Sequence, residues 1–114
     1  MVILDQGIET VTILFSQDIT QGQWGSGTAL AVVGDTGLKI PIAATLSDTT
    51  VTTSGKSVQF ITTVPSTIGN GSSFAEYELK FSGGTSFNRS VGATFNKTNS
   101  FEVVTITTVN FSRG

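Results

Sequence analysis

The chain has 114 residues, a net charge of −2 and only 12% charged residues, against roughly 25% in a typical soluble domain. It contains neither Cys nor His, which excludes disulfides and thiolate metal sites and removes the commonest general base and metal ligand. The six basic residues (Lys39, Lys56, Lys80, Arg89, Lys97, Arg113) are scattered, which argues against a nucleic-acid-binding face.

A surface so poor in charge is weakly protected against association, so copies or partners are expected to cover much of it. The length suits one domain, 1–114. The start of the chain, MVILDQGIETV, lacks the basic and apolar regions of a secretory signal. No apolar run approaches the roughly 18 residues of a membrane span. The expectation is a protein made soluble in the cytoplasm of the cell that synthesises it, with no membrane partner.

Residues 1–7 read as an N-terminal arm, followed by a strand over Ile8–Phe15, where β-branched residues dominate. Gln17–Gly37 reads as a long, Gly-rich loop around the single Trp, Trp24. Two roles suit Trp24: an exposed ring for sugar stacking or subunit contact, or an anchor plugging one end of the fold, which is preferred. Ala29–Val33 could form one helical turn before Gly34. Leu38–Leu46 alternates as a strand that Pro41 confines to a sheet edge or interrupts.

Thr50–Thr53 and Ser57–Val64 form a hairpin around Ser54-Gly55-Lys56, with Val58, Phe60, Thr62 and Val64 on one face. Pro65–Ser72 is a loop. Phe74–Phe81 reads as a half-exposed strand, with Ala75, Tyr77, Leu79 and Phe81 inward and Glu76, Glu78 and Lys80 toward solvent. After a turn at Ser82-Gly83-Gly84, Ser86–Ser112 reads as a closing hairpin of two long strands joined at Asn96-Lys97-Thr98-Asn99. The sum is an all-β fold: a single antiparallel β-sandwich of about seven strands, jelly-roll or immunoglobulin-like.

Acids are the plausible catalytic groups. Glu76 and Glu78 should project side by side, a spacing that suits glycoside hydrolysis in principle, but alternating charge on an exposed strand is the ordinary solvated pattern. Asp35 and Asp48 sit in loops where turn capping is the common role. Gly22 to Gly27 lacks the Lys-Ser/Thr of a phosphate loop, and there is no Asp-rich calcium loop. No catalytic, cofactor-binding or metal residue is assigned. Arg89 falls on the apolar face by parity with Phe87 and Val91, so it must snorkel, pair with an acid such as Glu76 or Glu102, or lie in a subunit interface.

One resemblance spans the chain from Trp24 onward. Trp24-Gly25-Ser26-Gly27-Thr28, a run of small residues, and Gly34-Asp35-Thr36-Gly37-Leu38 are followed by the Glu76–Phe81 strand and by Phe87-Asn88-Arg89-Ser90-Val91. Asn96-Lys97-Thr98 and the β-branched Val103–Phe111 strand end the series. This order resembles small tailed-bacteriophage virion proteins of the tail-fibre or tail-appendage type. The resemblance implies a structural protein, not an enzyme, located in the virion and partnered by other virion proteins, with a homo-oligomer, preferably a trimer, as its working form. Trp24 and Arg89 are then candidate interface or anchor residues. A capsid decoration protein is the alternative, and a glycan-binding module using Trp24 is a further one.

Overall fold

The structure, a computed structural model, describes residues 1–112. It contains one helix, α1 (Asp5–Asp18), and seven strands: β1 (Ile19–Gly25), β2 (Ser47–Asp48), β3 (Thr50–Ser54), β4 (Ser57–Val64), β5 (Ser73–Phe81), β6 (Ser90–Asn96) and β7 (Val103–Asn110). All pairings are antiparallel. They build a four-stranded sheet, β2-β1-β5-β6, and a three-stranded sheet, β3-β4-β7. The fold is therefore mostly β and sandwich-like, with open sheets and an added N-terminal helix.

Only Thr49 separates β2 from β3, yet β2 pairs with β1 in one sheet and β3 with β4 in the other. The chain thus turns a corner between sheets on that side. On the other side, β6 and β7 are the sheet edges, and an apolar cleft of about 470 Å³ opens between them over Trp24, Tyr77 and Phe95.

The β3–β4 hairpin forms as expected, with Gly55 at φ +58° in its turn, a conformation that glycine adopts without a Cβ penalty. In β4, the side chains of Val58, Phe60, Thr62 and Val64 are all buried. With Ile19, Tyr77 and Leu79, Val58 and Phe60 form the core.

Several expectations are corrected. The expected Ile8–Phe15 strand is the middle of α1, and the N-terminal arm ends at Leu4. The buried residues of the helix are Ile8, Thr12 and Ser16, one every four residues, which is helical periodicity. Its Thr and Ser hydroxyls bond back to the helix, Thr12 Oγ1 to Ile8 O at 2.8 Å and Ser16 Oγ to Ile13 O at 2.6 Å. Phe15 fixes the helix by edge-on packing to Phe60, Phe87 and Phe111 at 5.0–5.6 Å.

The expected long loop, Gln17–Gly37, begins instead with the end of α1 and with β1, an interior strand between β2 and β5. The irregular segment runs from Ser26 to Leu46 and contains no helix at Ala29–Val33. The expected Leu38–Leu46 strand is reduced to a bridge between Gly25 and Pro41 and a 3-10 turn at Ala43–Thr45. The break at Pro41 was thus legible, while the alternation around it was not a strand signal.

The closing hairpin does not exist. β6 pairs with β5 and β7 with β4, in different sheets. The segment between them is held by Lys97, which is fully buried and donates to Ser66 O, Asn70 Oδ1 and Thr98 O at 2.8–3.2 Å.

Candidate functional site

A further correction concerns β5. Its charged face is not solvated: Glu76 is 0% exposed and Glu78 is buried too, because the 26–46 segment lies across this face of the sheet. The segment is tied down by Glu76 itself. Oε1 accepts from Lys39 N at 2.8 Å and Arg89 Nε at 2.8 Å, while Oε2 accepts from Gly27 N at 2.7 Å and Ile40 N at 2.9 Å. Four donors on two oxygens match the accepting capacity of a carboxylate.

Close approach makes this cage possible. A Cβ on Gly27 would lie 2.5 Å from Glu76 Oε2, so a side chain there would push the amide off the carboxylate. Arg89, just before β6, completes the network. Its side chain is 3% exposed, and it also donates through Nη1 to Asp35 Oδ2 at 3.0 Å and through Nη2 to Ala29 O at 2.7 Å. Asp35 in turn accepts from Val32 N at 3.0 Å and pairs with Lys39 Nζ at 2.9 Å. One cluster, Asp35-Lys39-Glu76-Arg89, therefore joins β5, the start of β6 and both limbs of the covering segment.

The electrostatics follow from these contacts. Burial by itself would raise the Glu76 carboxyl, but the Lys39, Ile40 and Gly27 amides and the Arg89 guanidinium outweigh it and hold it at about 2. Asp35 is held at about 2 by the Lys39 ammonium, the Val32 amide and Arg89, against some desolvation. Arg89 is raised by its bond to Glu76 and, less strongly, by Asp35. Both acids are thus fixed as anions at neutral pH, with no lone pair of Glu76 left over to take a substrate proton.

The candidate residues of the sequence fall into place unevenly. Arg89 makes the intrachain pair with Glu76, and Glu102 is exposed. Asp35 does cap its turn, through Val32 N, and also binds Arg89 and Lys39. Glu76 and Glu78 do not act alike: Glu78 has a 3.5 Å contact to Lys80 Nζ, and its Oε2 is buried without a hydrogen-bond partner among the described residues. Lys39, Gly27 and Ile40 were not anticipated. Backbone donors carry no residue signature, though the recurrence of Gly at 25 and 27 marked the place where main chain comes close.

Trp24 is not a loop residue, and its half-buried ring lines the apolar cleft between β6 and β7. It lies on β1 opposite Tyr77, stacked on Phe74 at 5.3 Å and packed against Tyr77 at 5.1 Å and Phe95 at 5.6 Å. Tyr77 hydrogen-bonds Thr62 Oγ1 at 2.6 Å, and burial raises its phenol.

A cleft of about 340 Å³ adjoins the cluster, lined by Val32, Asp35, Phe87 and Arg89 among others. Each nitrogen of Arg89 donates once within the chain, which uses three of the five N–H groups of the guanidinium. Among the described residues, no three acids group as metal ligands. No helix among the described residues is long and apolar enough to cross a membrane. What the arrangement does chemically is lock a segment of about twenty residues onto a sheet. Neither a family model, nor a curated protein, nor a solved structure matches the chain.

Proposed function

We propose that this protein is a structural subunit of a tailed-bacteriophage virion, part of a tail fibre, fibre adaptor or related appendage, and that it works by assembling with copies of itself and with other virion proteins. The observation that carries the assembly part of the reading is an apolar seam that runs from the N-cap Leu4 along α1. Leu4, Gly7, Val11 and Leu14 are spaced by three, four and three residues, as in the seam of a coiled coil, and Leu4, Val11 and Leu14 are each more than half exposed. Met1, Val2 and Ile13 are exposed as well. Exposed apolar side chains concentrated in one element favour a contact site.

The first 18 residues hold Asp5, Glu9 and Asp18 but no Lys or Arg, which favours a protein partner over an anionic lipid surface. Seam against seam, with three copies as the expected number, gives the homo-oligomer. The virion assignment itself rests on the motif order from Trp24 to Phe111. The use of Glu76 and Asp35 as structural locks supports a non-enzymatic role, and the packing of Trp24 among three aromatic rings counts against a glycan platform.

Of the two sandwich topologies expected, the immunoglobulin-like one is disfavoured by the strand order. The order β2-β1-β5-β6 over β3-β4-β7 departs from the immunoglobulin arrangement of ABED over CFG.

Mass spectrometry and antibody labelling of purified particles test the proposal. Label on the tail is expected. Label on the head would replace it with the capsid-decoration reading, and absence from particles would overturn both.

A further inference from the structure

Strand β7 is an edge without the usual safeguards. Natural edge strands are blunted by charge, proline, bulges or a covering element, and Val103–Asn110, VVTITTVN, carries no charge and no proline. It pairs with β4 in unbroken register, from Ser57↔Asn110 to Val64↔Val103, so its other side presents a regular ladder of main-chain donors and acceptors. On its outer face, Val104 is 50% and Ile106 60% exposed. A ladder of this kind accepts another strand.

The sequence of the strand says which one. Reading outward from Ile106, Thr105 is matched by Thr107, Val104 by the isosteric Thr108, and Val103 by Val109. The strand is therefore close to its own mirror, so an antiparallel two-fold contact between two copies sets like β-branched residues opposite one another. With Ile106 on the axis, Ile106 of each copy meets Ile106 of the other, and Thr105 lies opposite Thr107. Cross-strand Thr–Thr and β-branched pairs are favourable, and no like charges oppose one another along the strand. Just beyond it, Glu102 falls opposite Asn110, whose Oδ1 is occupied by Ser57, leaving its NH₂ to donate to a carboxylate.

A second, independent observation points the same way. Thr105 Oγ1 is buried and has no hydrogen-bond partner among the described residues. Buried hydroxyls are ordinarily satisfied, and Thr107 of a paired copy brings a hydroxyl to the same face beside it.

We propose that β7 pairs edge to edge with β7 of a second copy of this chain, antiparallel and centred on Ile106, joining two three-stranded sheets into one of six. This deepens the assembly reading and rests on it for its biological use, but the two can fail separately, because the pairing is tested in solution without particles.

The experiment is sedimentation of the wild-type chain, of I106K, of I106E, and of an equimolar mixture of the two variants. Ile106 is largely exposed, so both variants should retain the wild-type circular dichroism. The wild type should form a species whose mass is twice that of the single variants. Each variant alone should weaken the pairing at least tenfold, because it places two like charges on the axis, and the mixture should recover it. Recovery by mixing is expected of a self-contact at Ile106 and of no other interface. An unpaired wild type, variants that pair as well as wild type, or a mixture that stays unpaired would each overturn the proposal. If a variant does not fold, hydrogen exchange on the wild type decides the matter: amides of 103–110 should gain protection as concentration rises, and concentration-independent exchange there would reject the contact.

Discussion

Arg89, just before β6, donates its Nε to Glu76 Oε1 on β5 at 2.8 Å, and both side chains are almost completely sealed from solvent. The pair is the centre of a cage that also gathers the Gly27, Lys39 and Ile40 amides. Glu76→Gln would leave the buried Arg89 with Asp35 as its remaining carboxylate and would turn an NH₂ donor toward groups that themselves donate. Glu76→Gln should therefore destabilise the protein by about 3 kcal/mol, read as a lower urea midpoint. The 26–46 segment should become the first site of proteolysis. A variant that keeps the wild-type midpoint and cleavage pattern would contradict the lock.

Acid should release the same segment. Glu76 and Asp35 both sit at about 2 in the folded protein, below their ordinary values of 4.5 and 3.8. A carboxyl with a depressed folded pKa binds protons more readily when unfolded, so its stabilisation is complete above its ordinary value and fades as pH falls toward the folded value. The thermal midpoint should hold near neutral pH and drop between about pH 4.5 and 2. In Glu76→Gln, the part of that drop due to Glu76 should be missing, leaving a shallower slope in a calorimetric pH series.

Trp24→Ala should act on the core. Loss of a packed Trp typically costs about 3–5 kcal/mol, and Trp24 bridges Phe74, Tyr77 and Phe95. Trp24 is the sole tryptophan, so its fluorescence also reports glycan contact in the wild type. No change on addition of soluble oligosaccharides is expected, whereas a saturable change would revive the glycan reading.

Lys97→Met should loosen the end of the sandwich where three acceptors surround the ammonium. Hydrogen bonds to charged groups contribute about 1.5–3 kcal/mol, and Met keeps the length of the stem without the donors. Hydrogen exchange should accelerate in 66–72 and 96–100 while the β3–β4 hairpin stays protected.

The parts of the fold legible in the sequence are those fixed by neighbours in the chain. The β3–β4 hairpin is encoded by a turn glycine between two alternating runs, and β5 by its apolar row of Tyr77 and Leu79. Helix α1 was misread because Ile8, Thr10, Val11, Thr12 and Ile13 favour strands locally, while the packing of Ile8, Thr12 and Phe15 on the sheet selects the helix. Strand β1 was misread for the opposite reason. Gly22 and Gly25 look like loop residues, yet a Cβ on Gly25 would lie 2.5 Å from Glu76 Oε2, and one on Gly22 would strike the Tyr77 hydroxyl. Those glycines answer to a strand more than fifty positions away.

Partner choice was illegible for the same physical reason. Alternation in β6 and β7 tells which side chains turn inward, but it does not say which strand lies alongside. Arg89 was legible as a residue that needed an acid. That its acid would also hold three main-chain amides was not, because amide donors are common to almost every residue type.

The separation between partner strands also dictates an order of events during synthesis. β1 is finished at Gly25, but its interior partner β5 begins at Ser73, and β4 must wait for β7 at Val103. Of the pairings that build the three-stranded sheet, only β3–β4 can close as soon as it leaves the ribosome. Long-range pairing of this kind slows folding, and at about 5–20 residues per second the glycine-rich β1 emerges seconds before the strand that shields it. A nascent chain should therefore depend on whatever occupies β1 in that interval, and slowing translation between 26 and 72 should lower the yield of folded protein.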